Sequence, residues 1–223
     1  MKNELSKNFF TGKRLLITAG PTVEPIDDVR FISNHSTGKM GYALAAEAEM
    51  LGANVTLVSG PVHIPPPENV NIINVQSAEE MFQAASKVFP DCDIAIMTAA
   101  VADFTPKVKV SGKIKKDNIG NSMTIELVRT KDILAELSKS KSPKQKVIGF
   151  ALESENEIEN GLKKLHKKNC DMIVVNSASK PNSGFGGDMN TITIITTEGK
   201  QQAFPPMLKT DCAVEILKTA ATL

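Results

Sequence analysis

Apolar positions fall into short runs separated by stretches of helical spacing, and the order of the two sets the fold class. RLLIT at 14–18 is a near-continuous apolar run that stops at the turn signal AGPT, and it reads as a buried strand. A long polar loop over 19–37 follows. From Gly38 onward Met40, Leu44, Ala48 and Leu51 recur at helical spacing, with Gly52 as the stop. ANVTLV at 53–58 and VNIINV at 70–75 are β-branched and strand-like. Ser77 to Glu80 forms a capping box, opening a helix with Met81, Ala85 and Val88 on one face. DIAIMT at 93–98 is another apolar strand. The alternation continues as strand 123–129, helix 131–139, strand 146–151, helix 156–168 and strand 171–175. In helix 156–168, Ile158, Leu162 and Leu165 form the stripe expected to be buried. A hairpin over 191–196 and 201–204 turns at Glu198-Gly199, and a helix over 208–221 ends the pattern. The proline clusters at 65–67 and 205–206 read as loops.

Apolar strands alternating with helices predict an α/β fold: Rossmann-like, a mostly parallel sheet with helices on both faces and a C-terminal β-hairpin region. Residues 1–12 read as a linker or tag remnant, and 13–223 as a single domain.

Composition narrows the function classes. Hydrophobic residues make up 41% and charged residues 23%, an ordinary soluble balance. A net charge of +1 gives no global field to recruit nucleic acid or membrane, so any anion site has to be local. With 4% aromatics and no Trp, the chain makes a poor stacking platform for single strands. No apolar run approaches the ~20 residues of a membrane span, and the opening residues lack a signal-peptide core. Cys92, Cys170 and Cys212 are odd in number and far apart, which suits reduced thiols in the cytoplasm. His35, His63 and His166 share no ligand spacing with them, so no structural zinc site is expected.

Four stretches can carry chemistry. In Ser33-Asn34-His35-Ser36-Thr37-Gly38-Lys39-Met40-Gly41, small polar residues and glycines meet the first helical turn. Backbone N–H groups there favour an anion, and glycine lets a phosphate approach closely. The glycine and hydroxyl positions of a P-loop are missing, as is G-x-G-x-x-G. An ordinary N-cap by Ser36 or Thr37 explains the stretch equally well. Thr98-Ala99-Ala100-Val101-Ala102-Asp103-Phe104 lies at the carboxyl end of a predicted parallel strand, where open α/β sheets bind ligands. Asp103 can meet a ribose, a base edge or a metal, or stand as a surface carboxylate. Ser111 to Lys116 holds a run of lysines in a polar loop, suited to a triphosphate or simply solvated. Finally, Lys164 and Lys168 share one helix face. With Glu155, Glu157 and Glu159 early in that helix, charge placement along the dipole is a sufficient explanation.

ITAGPTVEPIDDVRFISNHSTGKMGYALAAEA, AAVADF, KIKK, RTKDIL, VIGFALES, KKNCDMIVVN and FGGDMNTITII occur in this order. Over about 13–205 the chain resembles phosphopantothenate–cysteine ligase, the second half of a bifunctional coenzyme A flavoprotein. The resemblance implies a ligase of coenzyme A biosynthesis. It would join L-cysteine to phosphopantothenate using CTP and Mg2+ through an acyl-cytidylate, releasing pyrophosphate and CMP. It further implies a homodimer in the cytoplasm, a mobile flap near 105–122, and no flavin in this part of the protein. A phosphopantothenoylcysteine decarboxylase domain or partner would accompany it. No nucleic acid or membrane partner is expected. Asn34 matches the residue associated with the intermediate, and Lys113 the catalytic lysine of the flap, which also meets the nucleotide. The nucleotide-binding positions carried over are Gly20, Ser36, Thr37, Gly38, Lys39, Met40, Ala99, Ala100, Asp103, Lys131, Asp132, Ile133, Leu134, Phe150, Lys164 and Lys168. Lys131 stands where many relatives have Pro. The residues alone leave two alternatives open: a non-catalytic nucleotide-binding or regulatory relative, and an NAD(P)-dependent oxidoreductase.

Overall fold

A computed structural model of the chain describes residues 8–115, 122–178 and 186–223. Lys116 of the KIKK run, the rest of the expected flap up to 121, and Phe185 of the FGGDMN stretch lie outside the described residues.

In chain order the first half comprises β1 (Arg14–Ala19), β2 (Val23–Pro25), β3 (Phe31–Ser33), α1 (Lys39–Met50), β4 (Asn54–Ser59), β5 (Asn71–Asn74), α2 (Ala78–Val88), β6 (Ile94–Met97) and β7 (Phe104–Pro106). The second half comprises β8 (Leu127–Arg129), α3 (Ile133–Ser140), β9 (Lys146–Glu153), α4 (Glu157–Lys167), β10 (Met172–Ser177), β11 (Met189–Asn190), β12 (Ile192–Thr196), β13 (Gln201–Ala203), β14 (Met207–Leu208) and α5 (Lys209–Ala220).

The main sheet has eight strands in the order β13-β12-β10-β9-β6-β1-β4-β5. Pairings from β10 through β5 are all parallel, while β12 and β13 add on antiparallel as the expected hairpin. Strand side chains alternate between the two faces, so each strand feeds two cores. Leu15, Ile17 and Ala19 of β1 pack with α1 and α5, and Met172 and Val174 of β10 join them. Leu16 turns the other way, onto Met81 and Ala85 of α2 and Ile133 and Leu137 of α3. Ile173 and Val175 of β10 meet Leu165 of α4 on that second side. Each buried Leu, Ile, Val or Met among these contributes roughly 1.5–3 kcal/mol of transfer free energy.

The helix signals hold locally. Glu80 N–H donates to Ser77 Oγ at 3.2 Å, closing one arm of the capping box. The Glu80 carboxylate accepts instead from Gln76 N–H at 2.8 Å, one residue earlier than the motif predicts. Buried Glu24, on β2, takes the next amide, Ala78 N–H, at 2.8 Å.

Several expectations need correction. The loop over 19–37 contains the antiparallel ribbon β2–β3. The strand expected over 123–129 is only Leu127–Arg129, and it pairs with β7 in a separate ribbon outside the main sheet. Both ribbons are short, three residues a strand, so neither shows the long apolar run of a core strand. Ile158 is exposed; close packing of α4 comes from Gly161, where an added Cβ would stand 2.5 Å from Val175 Cγ2. The linker reading of 1–12 fails at Phe10, which is 2% exposed in the core and donates its N–H to Leu51 O at 2.8 Å.

Candidate active site

Sheet order reverses between β1 and β6: β4 and β5 extend to one side, β9 and β10 to the other. Ligand crevices of open α/β sheets form at such switch points, beyond the carboxyl ends of the strands. A cavity of about 640 Å3 opens there, well within the range of small-molecule sites. Strand ends form its floor: Thr18 and Gly20 at β1, Met97 to Val101 at β6, Phe150 to Leu152 on β9 and Asn176 on β10. The two central strands are tied at this level, because Thr98 Oγ1 donates to Thr18 O at 2.5 Å and Ala99 N–H to Thr18 Oγ1 at 3.3 Å.

Helix α1 starts at the cavity. Its N-cap is Gly38, at φ 77°, with no side-chain cap and no acidic residue in the first turn. Ser36 Oγ accepts the Gly38 N–H at 3.3 Å, so neither Ser36 nor Thr37 caps the helix. The ordinary-cap explanation of this stretch is therefore not what the fold adopts. The first-turn amides and the helix dipole are left to favour an anion. Gly41 permits the close approach: a Cβ there would lie 2.5 Å from Ala19 Cβ and 2.6 Å from Thr98 Oγ1.

The opposite wall carries α3 and α4. Asp132 caps α3 by accepting Ala135 N–H at 2.9 Å, and its other oxygen holds the Lys168 ammonium. Burial pushes the Asp132 carboxyl up, but Lys168 and the Ala135 amide outweigh it and hold it below the usual range. Lys164 is half-buried and donates to Phe150 O at 2.7 Å; burial pushes its ammonium down, against the opposing charge of Glu153. Lys131 pairs with Glu79 at 3.0 Å and lies 4.5 Å from the Phe82 ring centroid. At the third side, Lys39 reaches Asp188 at 2.6 Å and Gly186 O at 3.0 Å, and Lys209 reaches Gly187 O at 2.5 Å.

Of the residues named from sequence, the cavity wall includes Gly20, Ser36 to Met40, Ala99, Ala100, Asp103, Lys131 to Leu134, Phe150, Lys164 and Lys168. Asn34 and Lys113 do not line it. Asn34 stands directly behind the floor, donating Nδ2–H to Ala100 O at 2.7 Å. Lys113 is exposed on a segment that the β2–β3 turn grips. Val110 N–H donates to Ile26 O at 3.0 Å, Gly112 N–H to Asp28 Oδ2 at 2.8 Å and Ile114 N–H to Asp27 Oδ2 at 3.1 Å. Arg30 completes the grip, its Nη2 meeting both Asp27 Oδ2 and Ile114 O at 2.7 Å. Burial pushes the Asp27 carboxyl up. The amides of Val29, Arg30 and Ile114 and the Arg30 guanidinium overcome this and hold it far below the usual carboxylate range.

The sequence reading missed Thr18, Arg129, Asn176, Asn190 and Lys209, all on the cavity wall. Asn176 had a usable signal, a polar residue closing the apolar strand MIVVN just as Thr98 closes DIAIMT. Its Oδ1 is buried with no hydrogen-bond partner among the described residues, an acceptor available to a ligand donor. Lys209 and Asn190 carried no such signal, since only the packing of the C-terminal segment brings them in. Among the described residues no cluster of three or more His, Cys, Asp or Glu side chains could hold a metal. Cys92, Cys170 and Cys212 are buried, and burial pushes their thiols up to about 12, 11 and 12, which makes them poor nucleophiles at neutral pH. No helix among the described residues is long and apolar enough to cross a membrane.

Comparison with known proteins gives this site a context. The chain is 48% identical over 223 residues to a protein of an unknown prokaryotic organism named cysteine/cysteine sulfinic acid decarboxylase, and covers 62% of it. It is 49% identical over 213 residues, 95% of its length, to the coenzyme A biosynthesis bifunctional protein CoaBC of Bacillus subtilis, and covers 52% of that protein. The chain thus spans between half and two thirds of these relatives. A crystal structure of the isolated C-terminal domain of a coenzyme A biosynthesis bifunctional protein CoaBC superposes with a TM-score of 0.82 at 43% identity. That likeness covers 96% of this chain and 97% of the other. The family model described as the DNA/pantothenate metabolism flavoprotein C-terminal domain matches residues 10–223, and the chain belongs to this family.

Proposed function

We propose that this chain performs the ligase step of coenzyme A biosynthesis, joining L-cysteine to phosphopantothenate at the expense of CTP. The observation that carries the reading is the cavity at the switch point, where an uncapped helix N-terminus faces lysines on two other walls. The match to nearly the whole of the CoaBC C-terminal domain supports a place in coenzyme A biosynthesis. A triphosphate suits such a site, because backbone amides and ammonium groups spread its charge without covalent chemistry.

In this reading the phosphopantothenate carboxylate attacks the α-phosphorus of CTP. An acyl–phosphate bond forms, the α–β phosphoanhydride breaks and pyrophosphate leaves. The cysteine amine then attacks the acyl carbon, CMP departs and the amide remains, the amine giving up its proton. Lys113 would neutralise charge developing on the phosphates once its segment closes over the cavity. Asn34, with Nδ2 already on Ala100 O, would orient its remaining N–H toward the acyl-phosphate oxygens without adding charge. Magnesium would enter with the nucleotide. It takes one or two protein carboxylates beside substrate phosphates, and Asp103, exposed on the cavity wall with no side-chain partner among the described residues, fits that need. The ion would supply charge neutralisation at the triphosphate.

A homodimer belongs to the same proposal. Val29 and Phe31 at the β2–β3 ribbon, and Phe104, Val108, Leu127 and Val128 on or beside the β7–β8 ribbon, are exposed. The two ribbons lie side by side. Apolar groups gathered in this way suit a self-complementary contact.

The nucleotide assignment is tested by pyrophosphate release with phosphopantothenate, magnesium and either CTP or ATP. CTP is expected to support release at a much higher kcat/KM. Release with ATP alone would keep the ligase and overturn the nucleotide; release with neither would remove the reading.

A further inference from the structure

Among the described residues six cations line the cavity, and five are already committed. Lys39 is on Asp188 and Lys131 on Glu79, Lys168 is on Asp132, and Lys164 and Lys209 donate to backbone carbonyls. Each must give up or share a protein partner to hold a ligand. Arg129 is the exception. It is exposed, and its side chain forms no ion pair or hydrogen bond among the described residues. Its guanidinium instead lies 5.8 Å from the centroid of the Phe104 ring, the residue paired with it across the β7–β8 ribbon. The next residue anchors the backbone: Thr130 N–H donates to Asp103 O at 3.0 Å and Thr130 Oγ1 to Ala102 O at 2.6 Å.

A guanidinium set against an aromatic ring keeps its N–H donors in a planar fork that fits two oxygens of one phosphate. Here the fork is oriented by Phe104, fixed at its base and free of an internal carboxylate, on the wall of a cavity shaped for an anionic ligand. We propose that Arg129 is a phosphate-binding residue of this site. The proposal rests on the ligase reading, in which phosphate has two sources: the nucleotide triphosphate and the phosphomonoester of the acid substrate.

Single-ligand calorimetry separates these sources without turnover. Wild type, Arg129→Gln and Arg129→Lys are each titrated with CTP, phosphopantothenate and inorganic pyrophosphate in magnesium, with melting temperatures recorded. Arg129→Gln is expected to weaken at least one ligand by about ten- to a hundredfold at unchanged melting temperature, the range of a charge-assisted bond. Arg129→Lys, which keeps the charge but loses the fork, should fall between. A loss confined to CTP and pyrophosphate assigns the fork to the triphosphate. A loss confined to phosphopantothenate assigns it to the acid, and losses in both classes mean a shared contact. Phe104→Leu should produce a smaller loss in the same ligand. Affinities within about twofold of wild type for all three ligands overturn the role of Arg129 and leave the ligase reading standing. A wild type that binds none of them overturns both.

Discussion

Asn34 donates to the Ala100 carbonyl at 2.7 Å, immediately behind the cavity floor. Replacing it by Asp turns that donor into an acceptor facing an acceptor and places an anion beside the expected acyl phosphate. Asn34→Asp is expected to lower kcat by about 10²–10³, the usual cost of losing a transition-state donor; near wild-type turnover in a folded variant would remove Asn34 from the chemistry. Asp27 gives a pH-dependent counterpart. Its folded pKa is depressed, so its stabilising contribution is fully present above the unfolded value of about 3.9. That contribution is lost as pH falls from there through the lower folded value. The difference in urea midpoint between wild type and Asp27→Asn should thus stay constant from pH 7 to about 4.5 and shrink below about 3.9. A difference that changes across the neutral range would contradict the grip described here. The residue-level reading of the sequence caught groups lying in contiguous motifs. It missed Asp27, whose partner Ile114 sits across a loop, and Arg129, whose partner is a ring across a ribbon.

At the scale of elements, the α1 start shows how a glycine sets function through packing. Gly41 lets α1 lie against β1 and β6, with Ala19 and Thr98 filling the space a Cβ would need. Gly41→Ala should cost about 1–3 kcal/mol of stability through overpacking and weaken nucleotide binding, because the helix start must move off the floor. Chemical denaturation and nucleotide titration check the two effects, and an unchanged affinity would separate α1 from the nucleotide. The central strands and the α-helices were legible because each carries either a continuous apolar run or a helical repeat. The ribbons β2–β3 and β7–β8 were not, since each strand is only three residues long, carries no apolar run, and packs against the other ribbon. Those ribbons hold the Lys113 segment and Arg129, so the part of the site least visible in the pattern is the part carried by the least regular elements.

At the scale of the molecule, the sheet order reverses between β1 and β6; from the sequence, the stretch Thr98 to Phe104 was placed at a strand's carboxyl end, where such crevices form, and the other cavity residues came from the family resemblance. The exposed apolar ribbons have no counterpart in that logic, because an isolated chain gives no partner for them. Sedimentation at micromolar concentration is expected to show a dimer, and Phe31→Glu, which puts a charge on a side chain 58% exposed, should shift it toward monomer. A wild-type monomer would contradict the assembly. The ligase itself is tested most directly by incubating the protein with phosphopantothenate, CTP and magnesium, with and without cysteine, and following pyrophosphate and phosphopantothenoylcysteine together. Product is expected only with cysteine, and an acyl-cytidylate should accumulate when cysteine is withheld; no pyrophosphate under either condition from folded protein would contradict the ligase reading.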